Sequence, residues 1–185
     1  MNHYFFFLLV ILVLCVASSN STKVVEVNDI CKESFQESFC SKLLKSRPGG
    51  AKGVDLVNLA QYTIDVVRAN LTNTLTLLHK LIPESSTVKA KKHYDTCLLD
   101  LGPVGTSASV HLNDADSSFK RGDYKNMAAS TALLVQNILH CRNDRKDYYY
   151  YYDYGSDKAL FTNYVEVVLQ TSKILDIIAT YLNLG

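Results

Sequence analysis

Four cysteines, Cys31, Cys40, Cys97 and Cys141, constrain this 185-residue chain more than any other feature. A fifth, Cys15, lies in an apolar leader and is expected to leave with it. An even number remaining in a secreted chain reads as two disulfides. The leader supports secretion. Phe5 to Val16 is almost continuously apolar, too short for a comfortable membrane span, and Ala17, Ser18 and Ser19 follow it as small residues at a cleavage site. The first four residues carry no Lys or Arg, so an N-terminal anchor is the competing reading. The turn to polar sequence after Ala17 favours cleavage. We therefore expect a signal peptide over 1–19 and one domain over 20–185, with no membrane attachment after removal. No later run is apolar for long enough to cross a bilayer.

Glycine and proline are scarce, with 8 and 3 residues, which argues against a β-sandwich or a loop-rich knot. The net charge is +1 and no Lys/Arg stripe stands out, so nucleic acid is not an expected partner. The cysteines would staple a core that already exists.

Four long segments carry helical periodicity. The first spans about Asp55 to Ile82, with Val57, Ala60, Ile64, Val67, Leu71, Leu75, Leu78 and Ile82 at spacings of three and four. Pro83 is expected to end it. The second begins near Ser86, and its stripe is Ala90, Tyr94, Cys97, Leu101, Val104, Ala108, Leu112, Ala115 and Phe119. That stripe keeps phase through Gly102-Pro103-Val104-Gly105, although an interior proline costs roughly 3 kcal/mol. We expect a kinked helix there; a short loop between two helices is the alternative. Arg121-Gly122-Asp123 makes the next turn, with Asp123 as N-cap. A third helix follows over about Tyr124 to Cys141, with Met127, Thr131, Leu134, Ile138 and Cys141 on one face. The fourth starts near Asp157 with the stripe Leu160, Tyr164, Val167, Thr171, Ile174, Ile178 and Tyr181. Ahead of these, Val25 to Leu44 reads as a short helical hairpin, and Lys45 to Gly53 as a loop. The expected fold is all-α: an up-down-up-down four-helix bundle with an N-terminal α-hairpin extension and two disulfides.

Four cysteines allow three pairings, and helix geometry favours one of them. Cys31 and Cys40 flank eight residues, which a turn between short helices would close. Cys97 lies 25 residues before Gly122 and Cys141 lies 19 after it, on consecutive antiparallel helices. In straight helices they would miss by roughly 9 Å, against the ~7 Å limit on Cα separation in a disulfide. A kink or bulge at Gly102 to Gly105 could absorb the difference. Free thiols and a zinc site are the competing readings. His93 and His140 lie near Cys97 and Cys141, but no Cys-x-x-Cys spacing of a structural zinc site is present.

Several stretches together resemble the plant invertase/pectin methylesterase inhibitor family. They are Ile30-Cys31 with Phe39-Cys40-Ser41-Lys42-Leu43-Leu44, Val57-Asn58-Leu59-Ala60, Tyr94-Asp95-Thr96-Cys97, Gly122-Asp123-Tyr124, and Ala128-Ala129-Ser130-Thr131-Ala132 leading to Cys141. The resemblance covers essentially the whole chain after the leader. It implies a helical hairpin on a four-helix bundle, with Cys31–Cys40 and Cys97–Cys141 bridged. It implies a non-enzymatic inhibitor in the apoplast or cell wall, without cofactor or metal. Its partner would be one pectin methylesterase or acid invertase molecule, whose active-site cleft it covers. Invertase-type members resemble one another in Pro-Lys-Phe after Gly-Asp. Here Gly122-Asp123 is followed by Tyr124-Lys125-Asn126, and only the lysine fits. That favours pectin methylesterase and makes Asp123, Tyr124, Lys125 and Asn126 candidate partner-binding residues. The chain also departs from the family by extra residues around Gly102-Pro103.

Other features are weaker. Asn70-Leu71-Thr72 is a glycosylation sequon at the edge of the first stripe, and Asn20-Ser21-Thr22 is a second, beside the expected cleavage point. Tyr148 to Tyr152 is a run of five tyrosines, read first as an expanded interhelical link and second as a contact loop. His79, His93, His111 and His140 are scattered, and Lys89, Lys91 and Lys92 read as a solvated face. No carboxylate among Asp95, Asp100, Asp114 and Asp116 is coupled by sequence to a histidine or nucleophile, and no catalytic motif is present. Three readings follow in order: an inhibitor of pectin methylesterase, an inhibitor of invertase, and a secreted bundle with a structural or wall-binding role.

Overall fold

The computed structural model describes residues 25–50, 53, 55–143 and 155–184. The leader, the Asn20 sequon and the tyrosine run lie outside the described residues. The described chain is all-α. A hairpin of α1 (Val27–Lys32) and α2 (Glu37–Lys45) precedes α3 (Leu56–Glu84), α4 (Val88–Leu101), α5 (Ala108–Lys120), α6 (Tyr124–Asn143) and α7 (Gly155–Asn183). Helix α7 packs on α3 and α6, while α4 and α5 each pack on both α3 and α6. So α4 and α5 fill one position of a four-helix bundle between them. With α4 and α5 counted as one position, successive positions of the bundle run antiparallel.

Capping explains where the helices begin. Asp55 precedes α3, and its carboxylate accepts from the Asn58 backbone N–H at 2.7 Å and from Asn58 Nδ2 at 3.0 Å. Thr87, rather than Ser86, caps α4 by accepting from Ala90 N–H at 3.1 Å. Helix α3 runs one residue past Pro83 instead of stopping before it. A proline so close to the end removes little of the helix's hydrogen bonding. The end is set by Ser85, whose extended backbone leaves the helix and whose hydroxyl donates to Leu81 C=O at 2.7 Å.

The core stripes follow the helical period with three corrections. Val57 is 43% exposed, because Leu56 and Leu59 turn inward at that end of α3. Val104 is 75% exposed, since it stands in a loop and not on a helix. Leu160, Tyr164 and Val167 lie on the open side of α7, while Phe161, Val165 and Val168 are buried. That half of α7 carries two adjacent apolar stripes. The partner decides between them: Phe161 meets the Tyr94 ring edge-on at 5.2 Å and the His93 ring at 6.0 Å.

The kink expected at Gly102 is a full break. The α-helix ends at Leu101 and restarts at Ala108, as in the alternative reading of two helices joined by a loop. The residue before a proline avoids helical ψ, and Gly102 takes ψ −177°. A Cβ at Gly102 would stand 2.5 Å from Leu98 O, so only glycine fits. Gly105 provides the left-handed turn, with φ +73°. The ends of the loop are drawn together. Ser107 Oγ donates to Gly102 C=O, and Ser109 Oγ donates to Leu101 C=O at 2.6 Å.

This loop resolves the register problem. Cys97 is six residues farther from Gly122 than Cys141 is, and the loop 102–107 contains six residues. With its ends pinched, the loop adds chain with little advance along the bundle. Cys97 and Cys141 then meet at a Cα separation of 4.7 Å, and Cys31 and Cys40 at 5.4 Å, both as disulfides. All four cysteines are fully buried. The hairpin is held to the bundle by α7, where the Tyr181 hydroxyl donates to the Glu33 carboxylate. That bond holds the Tyr181 phenol above its usual value.

Loop-closure entropy ranks the two bridges. Replacing Cys97 and Cys141 together by serine should cost about 4 kcal/mol, against about 2.5 kcal/mol for Cys31 and Cys40. Urea unfolding of the two double variants checks the order; equal losses would remove the far bridge from its leading role. Gly102→Ala should cost about 1–3 kcal/mol through the Leu98 clash, and an unchanged unfolding midpoint would refute the close approach.

Candidate interaction surface

The four candidate residues after Gly122 form the entry to α6. Gly122 takes φ +71°, its N–H reaches Phe119 C=O at 2.9 Å, and Asp123 N–H reaches Ser118 C=O at 2.9 Å. These bonds close α5 and reverse the chain. Asp123 then caps α6, accepting from Asn126 N–H at 3.2 Å and from Asn126 Nδ2 at 2.6 Å. The Asn126 side-chain and backbone donors hold the Asp123 carboxyl below its ordinary value. Tyr124 packs against the core. Of the four, Asp123 and Asn126 are committed to the cap and Tyr124 to the core. Lys125 is exposed and points no group into the fold.

The break loop is the second exposed feature. Val104 and, on α4, Leu99 are 75% and 74% exposed. Asn137 Nδ2 on α6 donates to Thr106 C=O at 2.7 Å and fixes the loop against the bundle. The basic stretch at the start of α4 is partly internally paired, since Lys91 Nζ meets Asp95 at 3.2 Å. Asn70 is half-buried on α3, and the Thr72 hydroxyl of its sequon donates to Arg68 C=O at 2.8 Å.

Sequence reasoning missed two polar links between bundle helices. His140 Nδ1 lies 2.8 Å from Asp100 Oδ2, joining α6 to α4. These residues are distant in sequence, but Asp100 is three after Cys97 and His140 is one before Cys141, so the disulfide itself predicts their meeting. The other link runs from α3 to α5. Arg68 donates to Asn113 Oδ1 and Asp116 Oδ2, each at 2.7 Å, and Lys120 Nζ meets the same Asp116 oxygen at 2.9 Å. Asp116 is largely shielded, which raises the worth of that pairing over an open surface pair. Among the described residues, no three His, Cys, Asp or Glu side chains converge as a metal site would require. His79 and His111 make no ion pair among the described residues.

These elements define a disulfide-stapled helical bundle with an N-terminal hairpin. The chain belongs to the plant invertase/pectin methylesterase inhibitor family, whose model matches residues 25–148. Proteins of this family act as inhibitors and not as enzymes. The chain is 26% identical over 133 residues to pectinesterase inhibitor 2 of Arabidopsis thaliana, covering 72% of this chain and 74% of the relative. It is 30% identical over 109 residues to a pectinesterase inhibitor of Actinidia deliciosa, covering 58% and 56%. In fold it is similar to the crystal structure of a mutant form of a pectin methylesterase inhibitor from Arabidopsis, with a TM-score of 0.70 at 24% identity, covering 85% of this chain and 97% of that one.

The Asp123 cap has a pH consequence. Its carboxyl is depressed in the fold, so the stabilisation is present above the ordinary carboxylate range and is lost only as pH falls through the lowered value. Asp123→Ala should therefore lower the melting midpoint at mildly acidic and neutral pH alike, with Asp123→Asn retaining most of it. A melt series between pH 3 and pH 7 measures this, with ~pH 4 as the region where wild type and Asp123→Ala begin to converge.

Proposed function

We propose that this chain is a secreted, extracellular inhibitor of pectin methylesterase that binds one enzyme molecule and covers its pectin-binding cleft. The observation that carries the choice of target is the state of Asn126. Invertase-type members are expected to present an aromatic residue there as part of a plug. In this chain the position holds an amide turned back onto Asp123, 2.6 Å from its carboxylate. The residue is exposed, and it offers a capping amide where a plug would need an aromatic ring. Similarity to pectinesterase inhibitors from two plants supports the same choice. The leader over 1–19 would deliver the chain to the apoplast, and glycosylation at Asn70 would accompany that route.

Inhibition here is substrate exclusion by a surface that is already ordered. Two disulfides and a bundle core leave little backbone freedom to lose on docking, so more of the contact energy appears as affinity. Lys125 is the member of the candidate group free to meet a partner, and as an exposed charge it would act on association rate more than on residence.

Titration of the secreted full-length chain against a plant pectin methylesterase and an acid invertase, both at wall pH, tests the assignment. Stoichiometric loss of methylesterase activity at micromolar inhibitor with invertase unaffected is expected. The reverse pattern, or inhibition of neither enzyme, would refute it.

A further inference from the structure

A cleft of about 190 Å³ opens where the hairpin turn meets the bundle. Phe35 and Gln36 form its hairpin side, and Arg142 of α6 with Glu166, Gln170 and Lys173 of α7 form the other. It lies far along the chain from the Gly122 turn and uses none of the residues discussed for enzyme inhibition.

Each wall of this cleft has something to offer a ligand. Phe35 is 90% exposed, at the tip of a turn whose neighbours are fixed by the Cys31–Cys40 bridge. Its ring contributes nothing to the core and lines the cleft. Glu166 is engaged, taking Arg142 Nη1 at 3.3 Å and Gln170 Nε2 at 3.0 Å. Lys173 is half-buried and has no carboxylate partner among the described residues. A partly desolvated cation without a counter-charge is unfavourable, and an anion supplied from outside would offset that cost.

The charge count narrows the class of anion. Two cations and one carboxylate leave a single net positive charge, which suits a monovalent carboxylate better than a phosphate or sulfate dianion. The mixed lining narrows it further. A flat aromatic face beside a cation and several amide and carboxylate groups matches a ring that has an apolar C–H face, a carboxylate and hydroxyls. The volume admits one such ring. We infer that this cleft binds a uronate unit of an acidic polysaccharide, with Lys173 on the carboxylate, Phe35 against the sugar face, and Gln170 and Glu166 on the hydroxyls. This binding does not rest on the target enzyme being pectin methylesterase.

The test uses the full secreted chain and a short oligomer of galacturonate, with binding followed by calorimetry and by amide shifts in NMR. Saturable binding is expected, with shifts centred on residues 34–36 and 166–173. Lys173→Gln and Phe35→Ala should each weaken it about five- to tenfold, and methyl esterification of the oligomer should weaken it similarly. Both side chains are off the core, so melting midpoints should be unchanged and confirm folding. Absence of binding at millimolar oligomer would overturn the inference. So would binding that ignores Lys173→Gln, or that falls instead with Lys89→Gln and Lys92→Gln. If Lys173→Gln abolishes enzyme inhibition while oligomer binding is absent, the cleft belongs to a protein interface and the uronate assignment fails. Enzyme inhibition is scored separately, so either result can fail without the other.

Discussion

The Cys97–Cys141 bond is the constraint around which the rest of the bundle is arranged. It requires two points at unequal distances from the Gly122 turn to lie side by side, at a Cα separation of 4.7 Å. A regular helix cannot satisfy that with six residues to spare. The chain answers by ending α4 at Gly102-Pro103 and restarting it after a pinched loop. Gly102, Gly105, Ser107 and Ser109 are then all required by one covalent link, although none of them touches it. The Asp100–His140 contact is a further result, since the bridge sets the register in which those side chains meet.

Much of this was legible in the sequence because amphipathic helices write their buried face at a fixed period. The α6 stripe of Met127, Thr131, Leu134, Ile138 and Cys141 is buried throughout. The failures have physical causes of equal clarity. Leu101 and Ala108 are seven residues apart, which is two helical turns, so they share a face whether or not a helix connects them. Periodicity alone therefore could not see the break. The arithmetic of the cysteines pointed at Gly102 to Gly105, which lie inside the six-residue loop, although a kinked helix is what the sequence led us to expect there. On α7 the error was one of phase, because Leu160-Tyr164-Val167 and Phe161-Val165-Val168 are equally good stripes. Packing on α3 and α6, with the rings of His93 and Tyr94 on α4 meeting Phe161, selects the second.

The candidate interaction residues were less legible, for a different reason. Asp123 to Asn126 stand out in the sequence because they follow a turn and depart from Pro-Lys-Phe. The fold assigns three of them structural work. A capping carboxylate and a partner-binding carboxylate look alike in a sequence; only the 2.6 Å contact with Asn126 separates them. The cleft beside Phe35 was invisible for the opposite reason. Its residues come from the hairpin turn, the end of α6 and the middle of α7, and nothing in their spacing brings them together before the chain folds.

The break between α4 and α5 also divides the bundle into unequal mechanical parts. Helix α4 is covalently fastened to α6, whereas α5 is retained by packing, the Gly122 reversal and the Arg68–Asp116–Lys120 ion cluster. The amides of the two segments consequently belong to different cooperative units, although they occupy one bundle position. Opening of α5 would leave the disulfide in place while loosening the entry to α6, which begins at the Gly122 reversal. The molecule thus has one end that is permanently set and another whose order depends on charge and burial. A partner that grips the second end would bear the entropic cost of ordering it, a cost the stapled end does not carry.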